Sequence, residues 1–340
     1  MAIFFNIFLK TFAYLVSISL IILLFTLIFS LINNENRDEF AFSSGEETSS
    51  NTIAIIEMNG LIIEKNRNFV ELANPLIISP SEVNDYLENL KNFSPKIIIF
   101  SINSPGGTVS ASKNLYDIIT KFKQNNKTEI IFHTNEILAS GGYWASLSGD
   151  KIYANYGSIL GSIGVKGPEW FFYDNPKSIS TGIFGNRIET INGIKVYSKI
   201  AGKSKDILNP FRKPSEKELE HLQKMVDEIY EDFVRIVSKE RKIEINTITE
   251  DIGALIYTTK SAKKKHLIDG ELTLENLIQK IIKEKEFSDY KIIKTSNQTK
   301  SFLKQILNGQ INIPKIDLDY ECLSLRSSIS TILSYQSVGC

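Results

Sequence analysis

The sequence predicts an α/β fold built on a mostly parallel sheet, and three observations carry that expectation. Lys96–Phe100 and Glu129–His133 are continuous apolar runs of strand length, the pattern of strands buried on both faces. Segments with apolar residues at helical spacing lie between and after them. The breaks carry Gly, Pro, Asn and Ser, the residues that turn a chain. Strand–helix–strand alternation of this kind pairs parallel strands through crossover helices.

The elements follow in order. From Phe12 to Ile32 the chain is nearly all apolar, and about 20 such residues cross a bilayer as a helix. Lys10 precedes the run and Glu35, Arg37, Asp38 and Glu39 follow it. A basic flank stays cytoplasmic, so the remainder is expected outside. A cleaved leader would have a shorter apolar region and a small-x-small site. Phe29-Ser30-Leu31-Ile32 is a poor one, which favours an uncleaved anchor. Residues 1–11 are then a cytoplasmic N-terminus, 12–32 a transmembrane signal anchor, and 33–51 a polar, flexible tether. Order is expected from Thr52. Thr52–Met58 and Leu61–Ile63 read as strands around the turn dipeptide Asn59-Gly60. Residues 64–78 read as a loop, and Ser81 as the cap of a helix with Val83, Leu87 and Leu90 inward.

After strand 96–100, Ser104-Pro105-Gly106-Gly107 breaks the chain, and a helix with Leu115, Ile118 and Ile119 inward follows. Ser140 opens a helix through Tyr143, Trp144 and Leu147. Lys151–Ala154 and Ser162–Val165 read as strands, Pro168–Gly185 as irregular chain, and Ile194–Ser198 as one more strand. Ser215 and Glu218 form a capping box at the head of a helix that runs to about Arg241. Its stripe from Leu219 to Ile236 is read as core or subunit packing. A short helix and turn are expected over 258–270, and another helix near 274–286. Residues 288–340 are a poorly patterned tail.

Composition narrows the function. The chain has 340 residues, with 39 basic and 39 acidic side chains, so no basic surface suggests nucleic acid. Cys322 and Cys340 are the two cysteines. They match no zinc spacing and sit where they cannot staple a core, though an oxidising compartment would let them pair. No metal or cofactor is expected.

Ser140 is the candidate nucleophile. A serine at the start of a helix, beside a Gly-Gly strand edge, lets a substrate carbonyl come close to free backbone N–H groups. The three histidines, His133, His221 and His266, make poor bases for it. His133 on an extended strand lies roughly 20 Å away, at about 3.3 Å per residue. The other two fall in an amphipathic helix and a surface turn. A lysine is the alternative base. Its ordinary pKa of about 10.4 keeps it protonated, but apolar burial lowers that by up to about 3–5 pH units. Composition does not choose among the lysines.

Five motifs occur in order: Ser104-Pro105-Gly106-Gly107, Ala139-Ser140-Gly141-Gly142-Tyr143, Asp150-Lys151-Ile152-Tyr153-Ala154-Asn155, Gly161-Ser162-Ile163-Gly164-Val165 and Lys205-Asp206-Ile207. Any one is weak. Together, behind an apolar N-terminus, they resemble the signal peptide peptidase A family of small, single-domain bacterial serine peptidases, over about residues 52–285. The resemblance implies a Clp/crotonase-like spiral of repeated ββα units, with a serine peptidase domain over 52–287. It implies Ser140 as nucleophile, Lys205 as general base, and Ser162 as the hydroxyl that holds the lysine amine. The backbone N–H of Gly107 would serve the oxyanion, joined by that of Gly141 by analogy with Clp-type proteases. It also implies peptide substrates, chiefly signal-peptide remnants in a bacterial inner membrane. A homo-oligomeric ring would supply Lys205 from the neighbouring subunit, with the catalytic domain facing the periplasm or outside.

The chain departs from that pattern at Ala254-Leu255, where Gly-Arg is usual, at Thr259 for glycine, at Gly149 for alanine and at Tyr156 for proline. None of these touches the proposed dyad. Three other readings stay open: an inactive membrane-anchored peptide-binding scaffold, a crotonase-type acyl-CoA enzyme, which an outward topology disfavours, and a Clp-like membrane protease acting on a specific membrane protein.

Overall fold

A computed structural model describes residues 2–32, 39–64, 77–172, 180–182, 185–187 and 201–296. The chain divides into two units, one up to Ala41 and one from Phe42. The first is dominated by helix α1 (Ala2–Ile32). Phe4–Thr26 within it has a mean hydropathy of 2.3 and is buried nowhere in the protein, so it is long and apolar enough to cross a membrane. This segment begins before Phe12 and includes Lys10. One lysine does not interrupt a helix, because its long stem lets the ammonium reach the interface.

The second unit is a mixed α/β fold. Its main sheet has seven strands in the order β1-β14-β2-β5-β6-β8-β13. The inner strands are β2 (Thr52–Asn59), β5 (Ile97–Asn103), β6 (Glu129–Thr134) and β8 (Lys151–Ala154). They pair in parallel with β14 (Lys291–Thr295) on one side and β13 (Gly270–Glu271) on the other. Alternation sorts their side chains onto two faces. Ile53, Ile55, Ile97, Ile99 and Ile131 face helix α7 (Leu274–Glu284), whose Leu277 and Ile281 complete that core. The alternate positions, Ile98, Phe100, Ile130 and Phe132, are also buried, with the two Phe rings stacked at 4.9 Å. Helices α2 (Pro80–Leu90), α3 (Val109–Asn125) and α4 (Gly141–Ser146) form a contiguous layer in which α3 touches both neighbours. Helix α2 is capped at Ser79 with Pro80 in its first turn, rather than at Ser81, because proline's fixed φ suits that first position.

A second, smaller sheet is separate from the first. It contains β12 (Ile256–Thr258), β9 (Ile159–Gly161) and β7 (Ile137–Ala139), with β7 and β9 parallel. Strands β3 (Leu61–Ile62) and β4 (Ile77–Ile78) pair in parallel nearby. Ser104–Gly107 joins the two groups through parallel bridges from Ser104 to Leu138 and from Gly107 to Ile62. Each repeat thus gives one strand to the main sheet, one short extended segment outside it, and then a helix: β2-β3-α2, β5-(104–107)-α3, β6-β7-α4. This is the repeated ββα pattern. Asn59-Gly60 makes no hairpin. Gly60, at φ 111°, is the corner at which the chain leaves the main sheet.

Three expectations need correcting. Phe40–Gly45, placed in the tether, is strand β1, an edge strand with only Phe40 buried. An edge strand exposed along its length shows no apolar alternation to read. Lys291–Thr295, placed in the tail, is β14 between β1 and β2. Its two isoleucines, Ile292 and Ile293, are buried on opposite faces, and the flanking lysines mask them in the sequence. The strand expected at 162–165 is instead Ile159–Gly161, because Ser162 turns out of the sheet at φ 53°. Two short strands, β10 (Ser180–Gly182) and β11 (Gly185–Arg187), pair antiparallel. The strand expected at 194–198, Cys322, Cys340 and most of the tail lie outside the described residues.

Helix α5 (Glu216–Arg241) matches its expected span, and its capping box is present. Its stripe divides. Phe233, Val234 and Val237 are buried, and Phe233 stacks on Trp144 of α4 at 4.4 Å. Leu219 and Met225 remain exposed. A π-helical turn (Thr247–Ile252) and helix α6 (Thr259–Lys264) complete the unit.

Candidate active site

The site forms where β5, β6 and β8 end, the edge at which open parallel sheets bind ligands. Asn103, the last residue of β5, organises it. Its amide oxygen accepts from Thr134 Oγ1 (3.0 Å) and from the N–H groups of Asn135 (3.1 Å) and Glu136 (2.9 Å). Its Nδ2 donates to Asn59 (3.0 Å). One side chain thus holds the ends of three strands together, and sequence reasoning missed it because an asparagine after an apolar run reads as ordinary turn chemistry.

Ser140 sits between β7 and α4 at φ 51°, ψ −123°. A non-glycine residue held there is strained by about 1–3 kcal/mol and persists only where its surroundings impose it. The surroundings are visible. Ser140 N–H donates to Gly161 O (2.9 Å), and Trp144 N–H donates to Ser140 O (2.9 Å). The simplest alternative role for this serine, a helix cap, is not what the structure has. Thr108, Ser215, Thr258 and Thr273 all sit at extended backbone angles, and their side chains accept from the helix. Ser140 does neither. Its half-buried hydroxyl is left for other work.

Gly106, Gly107 and Gly141 surround it. Gly106 adopts φ 111°, and a Cβ there would lie 2.9 Å from both Gly141 N and Ser140 Cβ. A Cβ on Gly141 would come within 3.3 Å of Gly107 N. The Gly107 and Gly141 amides and the Ser140 side chain therefore share one small space. Gly107 is exposed and Gly141 buried. Among the described residues neither N–H donates to a backbone acceptor. Ile62, from β3, locks the Gly107 strand from behind: its N–H donates to Gly106 O (2.9 Å) and its O accepts from Thr108 N–H (2.9 Å). Two unclaimed N–H donors beside a strained serine are the components that stabilise a tetrahedral oxyanion.

Ser162 follows Gly161, the acceptor for Ser140 N–H, so the β7–β9 pair brings Ser162 into the neighbourhood of Ser140. Its own N–H donates to Leu255 O (2.8 Å), so the Ala254-Leu255 departure contributes a backbone carbonyl while the Leu255 side chain stays exposed. Thr259, where glycine was expected, is buried, and its hydroxyl donates to Asn155 O (2.6 Å). Lys205 is in the turn 203–208. It is exposed, and within this chain its amine makes no hydrogen bond or ion pair to Ser140 or Ser162 among the described residues. The structure thus joins Ser140, Gly107, Gly141 and Ser162 at one edge, and among the described residues no bond within the chain ties Lys205 to them.

The histidines are accounted for. His133 is fully buried in β6 and bonds Leu272 O through Nε2 (3.0 Å). Burial pushes its imidazolium below the usual range, and the Leu272 contact offsets this only in part. His221 and His266 are exposed.

Residues 121–288 match the family model described as Peptidase family S49. That match takes in just under half of the chain. The matched region contains Ser140, Ser162 and Lys205 and begins downstream of Gly107. The enzyme class read from the sequence, a serine peptidase, is the class this family domain supports. Putative protease MJ0651 of Methanocaldococcus jannaschii is 35% identical over 191 residues, 56% of this chain and 57% of that protein. Putative signal peptide peptidase SppA of Enterococcus faecium is 27% identical over 303 residues, 86% of this chain and 79% of that protein. Putative protease slr0021 of Synechocystis is 29% identical over 231 residues, 67% of this chain and 72% of that protein. The chain thus spans 57% of the length of the archaeal relative, while the SppA similarity extends over most of both chains.

Proposed function

We propose that this S49 domain is a membrane-anchored serine endopeptidase with a Ser140–Lys205 dyad, acting on signal peptides left in the membrane after preprotein cleavage. The observation that carries it is the strained Ser140 turn, whose hydroxyl caps nothing and whose neighbours are the unclaimed Gly107 and Gly141 amides. In this reading neutral Lys205 takes the Ser140 proton as Oγ attacks the scissile carbonyl. The oxyanion is held by the Gly107 and Gly141 N–H groups. Lys205 then protonates the leaving amine, and water hydrolyses the acyl-enzyme. Ser162 holds the lysine amine in line.

Lys205 reaches Ser140 from a neighbouring subunit of a homo-oligomeric ring. The exposed Leu219 and Met225 on α5, together with Leu255 and Ile256 beside the site, are apolar surface that such an assembly would cover. Helix α1 anchors the chain in a bacterial inner membrane, with the peptidase domain, extended by β1 and β14, on the outer side. The SppA-named relative supports the substrate class.

The test is labelling by a serine-reactive fluorophosphonate across pH in wild type, Ser140→Ala and Lys205→Ala. Loss in both variants is expected, and mixing the two inactive variants should restore part of the labelling through hybrid interfaces. Wild-type labelling in Ser140→Ala would sink the assignment of the nucleophile. A dilution-resistant, fully active monomer would sink the shared site.

A further inference from the structure

The turn that presents Lys205 is fastened by a charge network unused in the reading above. Arg212 Nε and Nη2 grip Asp206 at 2.7 and 2.9 Å, and its Nη1 and Nη2 grip Glu218 at 3.0 and 2.8 Å. Nη1 also donates to Lys213 O (3.2 Å). Glu218 is the same residue that closes the capping box with Ser215. It is nearly buried, with its side chain 8% exposed. Trp170 lies against the guanidinium at 5.0 Å and donates from Nε1 to Asn209 O (2.9 Å). Arginine alone offers a planar fork that can hold two carboxylates in this way. The Arg212 pairing, with the Ser215 bonds, holds Glu218 far below the usual carboxylate range. Asp206 is lowered by the same partner.

We propose that Arg212 is a positioning residue for Lys205, pinning its turn to the N-terminus of α5 and keeping the adjacent Asp206 carboxylate occupied. The inference rests on the dyad reading. Asp206 is the immediate neighbour of Lys205, and a carboxylate released there would pair with the ammonium and oppose its service as a base. Besides Lys205, the charged groups of the turn, the segment after it and the first turn of the helix are Lys203, Asp206, Arg212 and Lys213, with Glu216, Lys217 and Glu218. Lys213 lies over the Phe172 ring at 5.6 Å. Loss of the guanidinium therefore frees the Asp206 carboxylate next to the base, while Glu218 keeps its bonds from Ser215.

The experiment measures the fluorophosphonate labelling rate against pH in the full-length, membrane-anchored chain. Arg212→Ala is expected to label about 3–10-fold more slowly at neutral pH and to recover on alkalinisation, its profile displaced upward by about 0.5–1 pH unit. Adding Asp206→Asn to that variant should return the midpoint most of the way. Asp206→Asn alone should move it toward acid. Arg212→Lys should keep the midpoint near wild type while lowering the maximal rate, because charge is retained and the fork is lost. An Arg212→Ala profile that is scaled down but not displaced, or a double variant no better than the single, would overturn the proposal. If Arg212→Ala does not fold, the acid displacement of Asp206→Asn decides, and its absence counts against the proposal. Lys205→Ala separates the two levels: full labelling there removes the dyad itself, whereas a dead Lys205→Ala with an unmoved Arg212→Ala profile removes only this inference.

Discussion

Gly107→Ala is the sharpest probe of the oxyanion geometry. A Cβ at Gly107 would lie 1.8 Å from Ile62 O, 2.5 Å from Ile62 C and 2.7 Å from Ile62 N. All three are backbone atoms of β3, so no side-chain rotation relieves the overlap. Either β3 moves, or the Gly107 peptide rotates and its N–H leaves the space it shares with Gly141. Overpacking of this kind costs about 1–3 kcal/mol of stability. The catalytic loss is larger, since one oxyanion donor is worth about 3–4 kcal/mol of barrier, or roughly 10²–10³ in kcat. Gly157→Ala is the matched control. Gly157 also has positive φ (81°), but nothing lies within 4 Å of its would-be Cβ. Its backbone strain should cost stability on the order of 1 kcal/mol and leave kcat within a factor of two or so.

The assay is kcat on a fluorogenic peptide, with thermal unfolding measured on the same preparations. The expected result is two variants of comparable stability whose activities differ by at least about 100-fold. If Gly107→Ala loses no more activity than Gly157→Ala, Gly107 N–H is not an oxyanion donor and the second sheet has only a structural role.

Three further outcomes follow from the same coordinates. Ser140→Gly should be inactive yet more stable than Ser140→Ala by about 1–2 kcal/mol, because glycine relieves the φ of 51° and alanine does not; equal unfolding midpoints would show that the turn is unstrained. Gly141→Ala puts a Cβ 2.1 Å from Ser112 Oγ, a buried hydroxyl with no hydrogen-bond partner among the described residues. Ser112→Gly should therefore recover at least about half of the stability lost in Gly141→Ala, measured as a coupling energy of about 0.5–3 kcal/mol in a double-mutant cycle; strict additivity would refute the contact. His133 gives the pH dependence. Its imidazolium is pushed below the ordinary value of 6.5, so the unfolded chain binds the proton more readily. The stability it contributes is present above about pH 6.5 and is lost as pH falls. His133→Gln should flatten the decline in unfolding free energy between neutral and mildly acidic pH, and an unchanged slope would show that other groups drive it.

The main sheet was legible because its inner strands are buried on both faces, and Ile97–Phe100 and Ile130–Phe132 have no alternative reading in water. The long helix was legible from its capping box and stripe. Strands β1 and β14 were not. Phe40–Gly45 presents one buried residue in six, and Lys291–Thr295 hides two core isoleucines between lysines. Asn103 and Arg212 were illegible for a different reason. Their partners are set by where three strand ends meet and by how a turn folds back on a helix, and neither leaves a periodic trace. The nucleophile was found by the composition around it, but the feature that sets it apart from the chain's other helix-initiating hydroxyls is conformational. Thr108 and Ser215 look the same in sequence as Ser140 and do ordinary capping.

That contrast bears on how the site is built. The segment bearing Gly107 is bridged to β7, which leads into Ser140, from Ser104 to Leu138, and to β3 from Gly107 to Ile62. Movement of β3 therefore acts on the oxyanion donor directly, and movement of β7 acts on the serine. Lys205 has no such link, being fastened to α5 through Arg212 and Glu218. Different contacts thus hold the two halves of the proposed dyad, and Phe233 of α5 stacks on Trp144 of α4. A base mounted this way gains its alignment with Ser140 when another surface holds the turn. The proposed ring makes the protomer's own Lys205 the partner of a neighbour's serine, so the alignment becomes a property of the assembly rather than of the fold.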